Sequence, residues 1–201
     1  MSDYIIEFLP LEMLNKNEFK KIRNELHNLD LVREQVIQAS REIINLSKQI
    51  IYATQRYDLK NADSAIKIIK EKIKELREIN IMTDTNINSV AFQEFVEAIS
   101  FYEFVKNKRI PTKASLDVSA EDYLSGICDL TGELVRKAIY DVIHKKFDEA
   151  ERIKELVHDI YGEFLKLHLR NGELRKKSDS IKWNLKKLEE VMYDISMRGR
   201  N

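Results

Sequence analysis

Glycine and proline are so scarce in this chain that they limit the kinds of fold it can form. The 201 residues include 5 glycines and 2 prolines, and the first glycine is Gly126. β-rich proteins need glycine for their many tight turns. Charged residues make up 34% of the chain and alternate with Leu and Ile, as in long amphipathic helices. The sequence therefore predicts an all-α fold, in a single domain over residues 1–201 because no stretch resembles a linker.

Composition excludes several classes of protein without selecting a function. Lys and Arg number 34, as do Asp and Glu, and this zero net charge argues against coating nucleic acid by bulk electrostatics. The longest apolar runs are far below the roughly 18 residues that span a bilayer. The N-terminus lacks the basic region of a secretory signal, and the lone Cys128 cannot form an internal disulfide. We expect a cytoplasmic protein with no membrane partner.

Apolar periodicity predicts a bundle of six to seven helices with a very long first one. That helix is expected over about residues 17–56, where apolar residues from Ile22 through Leu26 and Leu29 to Ala53 recur every three, four or seven positions. It would be about 60 Å long, so a partner chain is expected beside it. The other helices are expected over about residues 62–79, 87–107, 120–144, 148–169 and 172–196, with a leading segment over 1–16 and a polar connector over 80–88.

Short polar residues predict where two of these helices begin. Asn61 or Asp63 is expected to cap the second helix by accepting a hydrogen bond from a free backbone N–H group. Ser119, with Asp122 three residues on, resembles a capping box at the start of the fourth helix.

The third predicted helix carries two carboxylates among apolar residues. Glu94 and Glu97 are about 60° apart around the helix axis and share a face with Val90, Phe101 and Phe104. Ionised carboxylates there are costly unless a cation or a donor compensates them, and their repulsion raises at least one pKa unless a metal ion lies between them. The alternative is that this face borders solvent and both glutamates are ordinary surface residues.

The fourth predicted helix carries a second acidic pair, Asp129 and Glu133, within about 40° of each other. Ser125, Gly126 and Gly132 lie on the same face, and each glycine in a helix costs about 1 kcal/mol relative to alanine. This pattern predicts that a neighbouring helix or a ligand approaches the backbone closely. The alternative is close helix packing beside two solvated acids.

Together the four carboxylates form an oxygen-rich set that suits Mg²⁺ or Mn²⁺. Such ions activate water and stabilise charge on a phosphoryl group. The sequence has no zinc-type His–Cys cluster, Walker loop, Rossmann glycine motif or GxSxG motif. The four histidines are scattered and are expected at the surface or in packing roles. Cys128 lies on the apolar arc of its helix and is expected in the core.

Charge is unevenly distributed along the chain. Residues 114–135 contain five acids and no Lys or Arg, whereas residues 170–187 are strongly basic. One interpretation is two solvated helical faces, and the other is an acidic pocket beside a basic surface that steers a polyanion. The candidate nucleic-acid contacts are Arg170, Arg175, Lys176, Lys177, Lys182, Lys186 and Lys187.

Three segments resemble the translin superfamily: QEFVEAISFYEFVK (93–106), DYLSGICDLTGELVRKAI (122–139) and LRKKSDSIKWNLKKLEEVMYDISMRGRN (174–201). The first segment and the DLTGEL motif of the second are similar to its catalytic branch, translin-associated factor X (Trax), and the third segment is closer to translin. The long first helix also fits the family. The Arg/His-rich stretch before the third helix of translin has no counterpart here, so the basic segment is the candidate for RNA contact.

The resemblance implies about seven helices that assemble into a hollow octamer, with a metal-dependent endoribonuclease acting on RNA inside the shell. By motif position, Glu94, Glu97, Asp129 and Glu133 match the acidic active-site residues of the catalytic branch. Features of both branches occur in one chain, which favours a homo-oligomer.

The leading hypothesis is a Mg²⁺- or Mn²⁺-dependent endoribonuclease for single-stranded RNA, with single-stranded DNA as a second candidate ligand. Glu97 and Asp129, aided by Glu94 and Glu133, would hold the metal, and one carboxylate, such as Glu94, would position or deprotonate the attacking water. The alternative is a non-catalytic single-stranded nucleic-acid-binding scaffold like translin. A helical assembly protein without nucleic acid is a third interpretation.

Overall fold

The computed structural model describes residues 14–80 and 88–198, so most of the leading segment and of the polar connector lies outside the described residues. Within them the chain forms seven helices and no strand, which confirms the predicted all-α fold. The helices are α1 (Lys16–Gln55), α2 (Leu59–Asn80), α3 (Ser89–Asn107), α4 (Lys113–Leu116), α5 (Ala120–Ile143), α6 (Phe147–Leu165) and α7 (Glu173–Arg198). None of the described helices is long and apolar enough to cross a membrane.

Helix α3 lies at the centre of the packing, between α1 and α5, and α5 in turn packs against α6 and α7. A helix that is apolar on all sides must be buried, and Val96 and Phe101 of α3 are fully inaccessible to solvent. Val90, in the first turn, is an exception at 55% exposed, so it does not belong to the apolar face predicted for it. Most of the remaining residues of α3 are buried.

Helix α1 divides into a buried half and an exposed half. Val36, Ile43 and Ile50 in its second half are completely buried. Its first half has no such cover, and its large apolar side chains are 40–56% exposed: Phe19, Ile22, Leu26, Leu29 and Leu31. The predicted apolar stripe is therefore continuous in sequence, but this chain buries only part of it.

The ends of the helices follow local chemistry, with two corrections. Ser119 caps α5 as predicted, because its side chain accepts the Asp122 N–H (3.0 Å) and its hydroxyl donates to the Asp122 carboxylate (2.7 Å). Helix α2 begins earlier than predicted, and Asp58 accepts the Asn61 N–H there (3.3 Å), so neither Asn61 nor Asp63 is the cap. Helix α6 ends at Leu165, four residues before the predicted end, and the short α4 was not predicted.

The two glycines of α5 have different surroundings. A Cβ atom at Gly126 would lie 2.6 Å from the carbonyl oxygen of Gln93 and 2.7 Å from the Cβ of Val96, so α3 approaches the α5 backbone closely here. The close approach predicted at Gly126 is confirmed, and a helix makes it. At Gly132 the nearest atom would be 3.9 Å away, on Asn184, so no described helix makes the predicted close approach at that glycine.

Candidate active site

Three of the four predicted carboxylates line one cavity. Glu94 and Glu97 on α3 and Glu133 on α5 line a space of about 380 Å³, together with residues of α1. Asp129 lies one turn before Glu133, and its negative charge raises the pKa of both α3 glutamates. The structure thus brings all four acids into electrostatic contact.

Glu97 is the most buried of the four, at 8% exposed. Burial raises its pKa to about 8, and the charges of Glu94, Asp129 and Glu133 act in the same direction. No hydrogen bond or ion pair reaches Glu97 from the part of the chain that the structure describes. Near neutral pH its carboxyl group therefore holds a proton unless a cation approaches.

Glu94 is half-buried and has a milder environment. Burial raises its pKa, Lys48 of α1 opposes this, and the charges of Asp129 and Glu133 raise the pKa further. Lys48 also lines the cavity. Solvent and an arriving substrate therefore reach Glu94 more easily than Glu97.

Glu133 is held from two sides. Gln55, the last residue of α1, donates from Nε2 to the Glu133 carbonyl oxygen (2.9 Å) and to Oε2 (3.1 Å). Arg136, one turn further along α5, donates from Nη1 to both carboxylate oxygens at 2.8 and 2.9 Å. The end of α1 thereby fixes the carboxylate at the cavity wall.

Asp129 is paired with Lys177 of α7. The ammonium group donates to Asp129 Oδ2 and to Gln93 Oε1, the latter at 3.0 Å. Lys177 was predicted as a nucleic-acid contact, and the structure directs it to the carboxylates instead of outward.

The donor atoms of these residues suit a hard divalent ion, but the side chains do not form a binding position that is already arranged for one. Within residues 14–80 and 88–198, no three Asp, Glu, His or Cys side chains are arranged to hold a metal ion. The donor set is all carboxylate oxygen, which suits Mg²⁺ or Mn²⁺, and Glu97 lacks a compensating cation. A metal ion that used Asp129 or Glu133 would therefore compete with Lys177 or Arg136 for the carboxylate.

The basic segment, residues 170–187, does not form a uniformly positive surface. Lys176 pairs with Glu173 (2.6 Å), Arg175 lies 3.9 Å from Asp179, and Lys186 lies 3.9 Å from Glu190. The remaining members are exposed: Arg170, Lys182 and Lys187. Trp183, 64% exposed, lies among them and was not singled out from the sequence.

Cys128 and the histidines take the roles predicted for them. Cys128 is completely buried, and burial raises the pKa of its thiol to about 12, which makes it a poor nucleophile. The four histidines are exposed: His27, His144, His158 and His168.

Sequence reasoning missed the side chains that hold the acids. Gln55 is 78 residues from Glu133, and Lys177 is 48 residues from Asp129. Gln93 and Arg136 lie within the quoted segments, but nothing in those segments indicated which acids they would contact, and Lys48 was not singled out either. Local spacing contains no sign of these pairings, because they depend on how α1 and α7 pack against α3 and α5.

Comparison with known proteins places the chain in a family. A family model described as the Translin family matches residues 31–199. Chicken (Gallus gallus) translin is 42% identical over 81 residues, covering 40% of this chain and 35%, about a third, of that protein. An uncharacterised protein of Methanocaldococcus jannaschii is 33% identical over 163 residues, 80% of this chain and 72% of its own length. Mouse (Mus musculus) Translin-associated protein X is 25% identical over 226 residues, 90% of this chain and 78% of that protein.

Solved structures have the same architecture. The protein described as apo-NeC3PO is 29% identical, with a TM-score of 0.82 over 87% of this chain and 95% of that one. AfC3PO in a duplex RNA complex is 22% identical, with a TM-score of 0.82 over 92% of this chain and 99% of that one, a likeness that concerns the fold. Since the family model covers most of the sequence, and a relative more than 30% identical is covered over most of its length, the chain belongs to the translin family.

Proposed function

We propose that this chain is a divalent-metal-dependent endoribonuclease that cleaves single-stranded RNA. One observation carries the proposal: Glu97 is a buried carboxyl group beside three other carboxylates, and no cation in the described residues contacts it. Such an arrangement costs stability and is typical of a site that binds a cation or moves a proton. Similarity to Translin-associated protein X, and RNA bound to a protein of the same fold, support a role with nucleic acid.

Each residue of the cavity has a role in this proposal. Glu97 and Asp129 hold the divalent ion, and Glu133 supports it from the position that Gln55 fixes. A divalent ion supplies positive charge against the phosphodiester and makes attack by water feasible at neutral pH. Glu94, the half-buried acid with the milder environment, accepts the proton of the attacking water.

Substrate binding draws on cations outside the acidic cluster. Lys48 and Arg136 line the cavity and are positioned to contact phosphates that flank the cleaved bond. The basic segment around α7 extends the path for a strand, and exposed Trp183 offers a ring for a base to stack on. Single-stranded DNA would bind through the same phosphate and stacking contacts.

Cleavage of end-labelled single-stranded RNA tests the proposal, with Mg²⁺, Mn²⁺ or EDTA. The wild-type chain should cleave with metal and not with EDTA, and Glu97→Gln should lower the rate by at least about 100-fold while remaining folded. The matched control is Glu103→Gln, on the same helix, whose carboxylate pairs with Arg109 (3.3 Å) outside the cavity. Full activity of Glu97→Gln would refute the assignment.

A non-catalytic nucleic-acid-binding scaffold is the second candidate. It is favoured by the cations that already occupy two of the acids, Lys177 on Asp129 and Arg136 on Glu133. Binding would then survive EDTA and Glu97→Gln and would weaken steeply with salt, because phosphate contacts release counterions. RNA that is bound but left intact under every metal supports this candidate over the nuclease.

We also propose that copies of the chain assemble, as a hollow octamer with the carboxylates facing its interior. The exposed apolar half of α1 supports assembly, because apolar side chains of this size gain free energy when a second surface covers them. Native mass spectrometry tests this directly. A monomer at micromolar concentration would contradict it, and a different oligomer would correct the number of copies.

A further inference from the structure

Lys177 differs from the basic residues beside it. Its side chain is 33% exposed and crosses from α7 to Asp129 on α5, whereas Lys176 is 74% exposed and pairs with Glu173 on its own helix. Lys177 also donates to Gln93 on α3, so one ammonium group joins three helices. A lysine that only solvates the surface does not need contacts that join three helices.

A chain of hydrogen bonds holds the partner of Lys177 in place. Gln93 donates from Nε2 to the Ser89 hydroxyl (2.9 Å), and that hydroxyl donates to Asp122 Oδ1 (2.5 Å). Because the amide nitrogen is used in this way, the amide oxygen of Gln93 is left to accept from Lys177. The position of the ammonium group is therefore fixed by residues of α3 and by buried Asp122 in the first turn of α5.

The charge of Lys177 acts on the whole carboxylate cluster. It opposes the effects of burial at both Glu94 and Glu97, although it contacts neither. The cluster carries four carboxylates, and the only other cation in contact with one of them among the described residues is Arg136, from the helix of Glu133 itself. A divalent ion that uses Asp129 meets one oxygen, Oδ2, that already accepts from an ammonium group, and a positive charge beside the carboxylate.

We propose that Lys177 is the built-in counter-ion of the carboxylate cluster, and that a divalent ion competes with it for Asp129. The inference rests on the proposed nuclease function and concerns the same site. It makes Lys177 a positioning residue that holds Asp129 in the metal-free chain and sets the metal concentration at which the site fills. An ion added below that concentration leaves the carboxylates paired with the chain's own cations.

Binding of Mn²⁺ alone, measured by electron paramagnetic resonance or calorimetry on the full chain, tests the proposal without a cleavage assay. Lys177→Met removes both the competing contact and the repulsion, so its Mn²⁺ affinity should rise about 3- to 10-fold. Lys177→Arg keeps the charge and a donor for Asp129, so its Mn²⁺ affinity should not rise above that of the wild type. Lys176→Met is the matched control, since it removes an equal charge one residue away, and should also stay within about twofold.

Thermal stability supplies a second readout. Without metal, Lys177→Met should melt below the wild type, because the carboxylates lose their counter-ion, and Mn²⁺ should raise its melting temperature by more than it raises that of the wild type. If Lys177→Met does not fold, Gln93→Leu makes the same test. It removes the second acceptor of the ammonium group while retaining the lysine, and it should also strengthen Mn²⁺ binding.

Three results would overturn the inference. Unchanged or weaker Mn²⁺ binding by folded Lys177→Met, or by Gln93→Leu in its place, would do so, and the nuclease proposal would stand if the wild type still cleaved RNA with metal. An equal rise in affinity in Lys176→Met would assign the effect to net charge and not to the contact. A wild-type chain that neither binds Mn²⁺ nor cleaves RNA would remove both proposals.

Discussion

Helix α5 contributes to two groups of charged side chains, and they differ in how completely their charges are compensated. Near its C-terminal end, Lys137 and Asp141 are each 1% exposed and are joined at 2.6 Å. The Tyr57 hydroxyl donates to the same carboxylate at 2.9 Å, and the Lys137 ammonium lies 3.8 Å from the centre of the Tyr57 ring. Every charge in this pair has a partner of opposite sign.

The carboxylate cluster, formed by the middle of the same helix together with α3, is not balanced in this way. Asp129 and Glu133 have cations in contact, but Glu97 receives neither an ion pair nor a hydrogen bond from the described residues. The comparison teaches that burial of a charge alone does not indicate function, since paired buried charges also serve structure. A buried charge that lacks its partner is the stronger indication that something else must bind.

Breaking the balanced pair of charges, Lys137 and Asp141, should have the largest effect on the free energy of unfolding. Asp141→Ala leaves the Lys137 ammonium buried without a counter-ion and should lower the free energy of unfolding by about 3–5 kcal/mol. Urea denaturation measures this. The double variant Lys137→Met, Asp141→Leu removes both charges and should recover most of the loss. A double variant as unstable as Asp141→Ala would show that packing, and not the unpaired charge, causes the loss.

Neutralising Glu97 in the carboxylate cluster should raise the free energy of unfolding instead of lowering it. The pKa of Glu97 is about 8 in the folded chain and near 4.5 when unfolded. The folded state therefore holds a proton that the unfolded state releases, and the free energy of unfolding falls as pH rises from about 4.5 to 8.

Glu97→Gln removes this dependence, so in EDTA it should be equal in stability to the wild type near pH 4.5 and more stable by roughly 2–4 kcal/mol at pH 8. Urea denaturation across this pH range measures the difference. A difference that does not change with pH would contradict the uncompensated state of Glu97.

The contact between α3 and α5 that positions the cluster should tolerate little change. At Gly126 an added methyl group meets the Gln93 backbone, so Gly126→Ala should cost about 1–3 kcal/mol and lower RNA cleavage by moving α3 relative to α5. Gly132→Ala is the control, since its methyl group has room, and should be neutral or stabilise the helix by up to about 1 kcal/mol. Thermal unfolding of both variants measures the contrast, and similar losses in the two would refute it.

The smallest effect is expected from one hydrogen bond of the balanced pair. Tyr57→Phe keeps the ring beside Lys137 and removes only the hydroxyl that donates to Asp141, which should cost about 1 kcal/mol. RNA cleavage should be unchanged, because Tyr57 lies outside the carboxylate cavity. A loss of cleavage at full stability would mean that the two groups of charge are coupled along α5.

Local spacing was sufficient to predict six of the seven described helices and the faces of the acids, but not the four-residue α4. Glu94 and Glu97 lie on one helix, so their separation follows from the helical repeat, and Cys128 was assigned to the core in the same way. Spacing could not show that Asp58 rather than Asp63 would cap α2, because several short polar residues compete there. Nor could it show Lys177 beside Asp129, since that contact depends on the packing of α7 against α5.

The division of α1 has a consequence for the rates at which its backbone amides exchange with deuterium. Residues 36–55 pack into the core, whereas residues 16–35 are almost entirely exposed, and a helix of about 20 residues without cover opens readily. Amides of the first half should therefore exchange orders of magnitude faster than those of the second half in a single chain. A neighbouring copy that covers residues 16–35 would slow amide exchange in that half alone. Dilution separates such copies, so it should speed the exchange of residues 16–35 and leave the exchange of residues 36–55 unchanged.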